Sequence, residues 1–260
     1  MNQKNYAYLK DQIKYSGFGE GLDEELRTAI ESGKTDFKLK HYTKYEEDKL
    51  ETKLSFSKSK QTDMYFFNSY RVSLQKESSP DNLEQSFYMN PGNNITLKEA
   101  YNLMSGRAVN KDLTNKEGEL FNAWIQMDFK QSNESGNFKL KYYHQNYGFE
   151  LEKALSKHPI RELSNDEFKE KLMESLKKGN LQSVTFQTDG GNVKHFIEAN
   201  PQFKTINVYD LNKLRLDNRQ AQTNKAGKSI GKGKKEEPGS DGDGPGGLKE
   251  RKSKRRGMAV

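Results

Sequence analysis

Residues Phe121 to Phe129 constrain the fold more than any other stretch. Phe121, Ala123, Ile125, Met127 and Phe129 alternate with Asn122, Trp124, Gln126 and Asp128. Five matches to a period of two specify a strand with one buried face. Phe138, Leu140, Tyr142 and His144 repeat the pattern after a polar loop holding Asn133, Gly136 and Asn137. The two runs predict an antiparallel hairpin. One register sets Phe129 opposite Phe138 and Met127 opposite Leu140. On the other face it sets Trp124 opposite Tyr143, Gln126 opposite Lys141 and Asp128 opposite Lys139, the last pair oppositely charged. Just upstream, Thr96 and Glu99 form a T-x-x-E capping box, and Leu97, Ala100, Tyr101 and Met104 share one helical face.

The same two periods organise the rest. Tyr6, Leu9 and Ile13 mark a first short helix, and Leu22, Leu26 and Ile30 a second. Leu50, Thr52, Leu54 and Phe56 alternate as a strand. Met64, Phe66, Tyr70, Val72 and Leu74 share the face of another, with polar Asn68 the odd member, and Phe87 and Met89 mark a third. That parity turns Tyr65, Phe67, Tyr88 and Tyr143 outward. A short helix is expected near Phe149–Ser156. Ser164 and Glu167 form a second capping box before Phe168, Leu172, Met173 and Leu176, and Gly179 ends that helix. Strands follow at 181–187, 193–199 and 204–209, the first two joined by an Asp189-Gly190-Gly191-Asn192 turn. The fold class is α+β: antiparallel meanders and hairpins packed with amphipathic helices. The elements divide into an N-terminal subdomain over residues 1–110 and a C-terminal one over 111–212. A polar-looped hairpin recurs in each, without a residue-level repeat.

Charge is segregated along the chain. Residues 213–260 hold 14 Lys and Arg against 6 Asp and Glu, a net charge of +8, while the whole chain nets +7. Residues 1–212 are therefore close to neutral, and the basic isoelectric point says little about the folded surface. From Arg219 onward Gly, Lys, Ser and Asp dominate. Such a composition cannot offset the entropy of ordering, so 213–260 is expected to be a disordered basic tail.

Several chemistries find no support. The chain has no cysteine, which removes disulfides, thiolate metal sites and cysteine nucleophiles. His41, His144, His158 and His195 show no metal-ligand spacing, and His144, on the apolar parity of its strand, reads as a core histidine. No metal or other cofactor is expected. Gly227-Lys228-Ser229 lacks the earlier glycine of a phosphate loop, because Gln222 occupies that position, and GFGEG at 17–21 has no preceding strand. No catalytic residue is singled out. Neither a signal peptide nor a membrane-length apolar run is present, so a cytoplasmic protein without membrane contact is expected.

Two places could meet nucleic acid, DNA or RNA. In the tail, Lys252, Lys254, Arg255 and Arg256 form a dense cluster suited to phosphate contacts. On the hairpin, Trp124 and Tyr143 beside Lys139 and Lys141 combine stacking surfaces with cations. A helix covering Trp124 would instead make it core.

The blocks TDMYFFNSYRVSL, GRAVNKDLTNKEGELFNAW, YHQNYGFELEKAL, LKKGNLQSVTF and EANPQFKTINVYD resemble a family of Bacteroidetes proteins grouped under a domain of unknown function. The resemblance spans nearly all of residues 6–210. It implies a bacterial intracellular protein associated with conjugative or other mobile elements, and it transfers no functional residue. Taken together, the expectation is a non-enzymatic accessory protein of mobile DNA that binds nucleic acid weakly. The alternatives are an adaptor for a protein partner and a carboxylate-dependent hydrolase with converging acidic groups.

Overall fold

Eleven antiparallel strands and five α-helices lie within residues 2–216, the part of the chain that the computed structural model describes. The basic cluster at Lys252, Lys254, Arg255 and Arg256, and the expected disorder beyond residue 216, lie outside the described residues. Order expected to stop at residue 212 continues to Leu216.

The first sheet is a meander of β1 (Asp36–Tyr45), β2 (Asp48–Lys58), β3 (Tyr65–Gln75) and β4 (Asn82–Tyr88), in that order. It has one strand more than the alternation suggested. In β1 only Leu39 is fully buried, so the apolar signal of this edge strand is faint. Helices α1 (Gln3–Ile13), α2 (Asp23–Glu31) and α3 (Leu97–Met104) bury Leu9, Ile13, Leu26, Ile30 and Leu97 in a common cluster with Leu54, Tyr70 and Leu74. The Thr96–Glu99 capping box at the start of α3 forms as expected.

The outward parity expected for Tyr65 and Phe67 is corrected. Ser55 pairs with Ser69, but Phe56 pairs with Phe67, leaving Asn68 as an extra residue in β3. Such a bulge flips the side-chain parity on one side of it. Tyr65 and Phe67 therefore join Tyr70, Val72 and Leu74 in the core, while Met64 and Phe66 are exposed. Tyr88 faces solvent as expected.

The second sheet comprises β5 (Val109–Thr114), β6 (Leu120–Ser132) and β7 (Phe138–His144), with β6 in the middle. The hairpin register places Trp124 opposite Tyr143, Gln126 opposite Lys141, Met127 opposite Leu140 and Asp128 opposite Lys139. Beyond Asp128 the strand bulges, and Phe138 pairs with Ser132 rather than Phe129. The two phenylalanine rings still meet, with centroids 5.2 Å apart. His144 is exposed beside Phe121, so its reading as a core histidine is also corrected. The buried histidines are His158 and His195, which flank Phe186.

The third sheet, in the order β11-β10-β9-β8, contains β8 (Gln182–Thr188), β9 (Gly191–Asn200), β10 (Thr205–Tyr209) and β11 (Arg215–Leu216). Its inner face packs with α4 (Leu151–Leu155) and α5 (Asp166–Lys177) in a second cluster that includes Leu155, Leu176, Phe186, Ile197 and Val208. The cap of α5 differs from expectation. Asn165 accepts the amide of Phe168, while the Ser164 hydroxyl turns back to the carbonyl of Arg161. Asn sits one residue later than Ser and supplies the same oxygen acceptor, so the box is not needed.

The two clusters meet at the second sheet. Ala123, Ile125 and Met127 enter the first cluster, whereas Trp124 and Ala108 enter the second. A strand buried on both faces fixes both clusters against one element. At the same junction Gly179 ends α5 at φ +80°, where an added Cβ would lie 2.9 Å from the Ala108 carbonyl oxygen.

Candidate functional site

The hairpin residues come together, but not as an open platform. Trp124 is only 6 % exposed, and its ring meets Phe149 edge-on at 5.2 Å. Tyr143 is half-buried and packs beside Tyr147 at 5.0 Å. Of the two readings of Trp124, the structure bears out the covered one and not the free stacking face: the indole packs against Phe149 in one cluster with Leu151, Ala154 and Leu155 of α4. Lys141 is committed to Asp128 at 2.8 Å. That ammonium, with the amide of Lys130, holds the Asp128 carboxyl below its ordinary range, and the carboxylate in turn raises Lys141. Lys139 is exposed and belongs to no ion pair among the described residues.

A second location has the properties of a site. A cavity of about 780 Å³ opens between the β1–β2 turn, the segment after β3, the end of α3 and the β9–β10 pair. Its walls carry Asp48, Lys76, Ser105, Arg107 and Glu198. Each wall is fixed by a tyrosine–carboxylate contact. Tyr101, on α3, donates to Asp48 Oδ2 at 3.0 Å, and Tyr209, on β10, donates to Glu198 Oε1 at 2.7 Å. Glu198 Oε1 also accepts from Asn207 Nδ2 at 2.7 Å. Glu198 is 8 % exposed and belongs to no ion pair among the described residues. Its neighbours follow from strand register, since Glu198 lies directly opposite Asn207 across β9 and β10.

Cations gather on the α3 side. The Lys98 ammonium lies 4.0 Å from the centroid of the Tyr45 ring and 4.7 Å from that of Tyr101. The Arg107 guanidinium lies 4.9 Å from the Tyr101 ring, and its Nε and Nη2 donate to Asn102 Oδ1 at 3.2 and 2.7 Å. Aromatic faces stabilise such cations without neutralising them. Burial lowers the pKa of Lys76 and of Lys98, and the Arg107 charge lowers both further, while Asp48 opposes the shift at Lys76 and Glu46 opposes it at Lys98. Burial raises Tyr209, and the adjacent Glu198 carboxylate adds to that rise. The hydroxyl of Ser105 is buried in the same wall with no hydrogen-bond partner.

Buried Glu198 and half-buried Lys76 and Arg107 line this one cavity from different elements. Sequence reasoning did not identify Lys76, Arg107, Glu198 or Tyr209. They come from separate strands and a helix end, and no local spacing connects them. Comparison with protein-family models, curated proteins and solved structures finds no match to this chain.

Proposed function

We propose that the protein is a non-enzymatic nucleic-acid-binding accessory factor whose basic C-terminal segment supplies sequence-independent phosphate contacts. The setting implied by the family resemblance is bacterial mobile DNA. The observation that carries this reading is the segregation of charge, with a net +8 in residues 213–260 and a nearly neutral remainder. Cations concentrated in one segment displace condensed counterions when they meet phosphates, and the resulting affinity falls steeply with salt. The hairpin has no stacking role in this reading, because Trp124 is buried.

The test is fluorescence anisotropy of labelled single- and double-stranded DNA and RNA over a salt series. Full-length protein is compared with a chain ending at Asn218 and with a full-length variant in which Lys252, Lys254, Arg255 and Arg256 are replaced by serine. The reading expects binding that both changes weaken, together with a shallower salt slope. Binding that survives truncation unchanged, or its absence at low salt, would overturn it.

A second reading, an adaptor for a protein partner, draws on one observation. Tyr42, Phe66 and Tyr88 are all strongly exposed on the outer side of the first sheet, where aromatic side chains suit a protein interface. Co-purification that persists at high salt separates this reading from the first.

A further inference from the structure

The cavity bounded by α3 and the β9–β10 pair is lined by charges of both signs, and its one buried acid, Glu198, is in no ion pair among the described residues. Glu198 is more than nine-tenths buried, and both of its donors, Tyr209 and Asn207, bond the same oxygen, Oε1. Oε2 has no protein partner among the described residues. Opposite in charge, Arg107 uses Nε and Nη2 on a single neutral oxygen of Asn102, its charge acts on the Tyr101 hydroxyl, and it is in no ion pair among the described residues. Lys76 appears in no ion pair and no side-chain hydrogen bond among the described residues, although it lines the same cavity. The Ser105 hydroxyl adds a further unmet donor and acceptor.

Buried charges are ordinarily paired, because desolvation costs more than a neutral hydrogen bond returns. Glu198 and Arg107 line one cavity yet form no ion pair with each other. The remaining cavity carboxylates are occupied or lie at the rim. Glu46 is bound by Lys213, and the Asp48 oxygens accept from Tyr101 and from the amide of Glu77. Acidic and basic groups contributed to one cavity by different elements match a ligand that carries both signs at once. A simple anion would leave Glu198 unanswered, and a simple cation would leave Arg107 unanswered.

We infer that this cavity binds a small zwitterion of the amino-carboxylate class, its ammonium group on Glu198 Oε2 and its carboxylate on Arg107 and Lys76. Tyr209 and Tyr101 act as positioning residues, holding Glu198 and Asp48 in place. Burial lowers the pKa of Lys76 even though the Asp48 carboxylate nearby raises it, and the Arg107 charge lowers it further, so a bound carboxylate would relieve a remaining penalty. The inference does not rest on the nucleic-acid reading, since none of its residues lies in the basic segment.

The experiment is isothermal titration of the full-length protein with straight ω-amino carboxylates of increasing length, from glycine through 4-aminobutyrate to 6-aminohexanoate. Sodium acetate and methylammonium chloride are the single-charge controls. At least one member of the series should bind with a dissociation constant below about 10 mM, and both controls should bind about tenfold more weakly or not at all. Glu198→Gln keeps the shape of the side chain and should weaken that member about tenfold or more. Lys76→Gln, on a different element of the cavity, should do the same, so the inference stays testable if one variant fails to fold. No binding by any member, equal binding by acetate alone, or wild-type affinity in folded Glu198→Gln would overturn the assignment.

Discussion

Asn102 on α3 donates to the main-chain carbonyl of Lys178 at 2.7 Å, across 76 residues of sequence, and ties the first hydrophobic cluster to the end of α5. The same side-chain nitrogen donates to Asn180 Oδ1 at 3.0 Å, while its oxygen accepts from Arg107. Asn102 is fully buried, so each bond removed leaves a polar group stranded away from water. Asn102→Leu should cost about 2–3 kcal/mol. Thermal melting should read this as a fall of roughly 5–10 °C. An unchanged melting temperature would show that the two clusters are held together by apolar packing alone.

Arg107 depends on the same residue, so the exchange also bears on the cavity. Freed from Asn102, the guanidinium gains rotational freedom beside Tyr101. In Asn102→Asp the new carboxylate would neutralise Arg107 directly. An ion pair there should raise the pKa of Lys76, because one of the charges depressing it is compensated. NMR titration of the lysine side chains measures that change, with the expected direction upward.

The hairpin was legible in the sequence because strict alternation over Phe121–Phe129 admits one face and, with Phe138–His144, one sensible register. Four of the five expected cross-strand pairs form. The fifth fails because β6 bulges after Asp128, and a bulge adds a residue without changing composition. Asn68 presents the same difficulty in β3. It was the one polar residue on an apolar parity, and such a residue can mean a tolerated polar side chain or an insertion that flips parity, and only the register distinguishes them. Trp124 lies on the polar parity of its strand, so its burial depends on a second cluster that no period in β6 reveals. The cavity was the least legible feature. Arg107, Glu198 and Lys76 are brought together by the chain path, and each alone resembles an ordinary surface charge.

Trp124 reports on the fold directly because it is the only tryptophan. Its burial predicts native fluorescence at short wavelength that shifts to the red on unfolding. Addition of saturating oligonucleotide should leave both the intensity and the position of the native emission unchanged. Quenching by single-stranded DNA would instead restore a stacking role to the hairpin. Trp124→Ala should cost about 3–5 kcal/mol through the cavity left against Phe149.

Acid should weaken the fold before its carboxylates begin to protonate. Burial lowers the pKa of His158 and of His41 from the ordinary 6.5. The unfolded chain therefore takes up protons at these residues at a pH where the folded chain does not, and stability rises with pH in that window. As pH falls through about 6.5, the melting temperature should begin to drop, levelling once the lowered folded values are passed. His158→Phe keeps a ring against Phe186 and removes the titrating group, so its melting temperature should vary less between about pH 7.5 and 5.5. A variant slope equal to that of the wild type would assign the acid sensitivity elsewhere.

Gly179 and Gly33 separate backbone strain from steric conflict. Both follow helices with positive φ, +80° and +71°, so an alanine at either position meets the left-handed penalty of about 1–2 kcal/mol. At Gly33 the added Cβ finds nothing within 4 Å. At Gly179 it would lie 2.9 Å from the Ala108 carbonyl oxygen and 2.9 Å from Val109 Cγ2, where backbone and core must shift to admit it. Gly179→Ala should therefore destabilise the protein by about 1–3 kcal/mol more than Gly33→Ala. Chemical denaturation of the two variants measures the difference. Equal losses would mean that the contact between the end of α5 and the start of β5 yields without cost, and that the two hydrophobic clusters are less firmly joined than the Asn102 bonds imply.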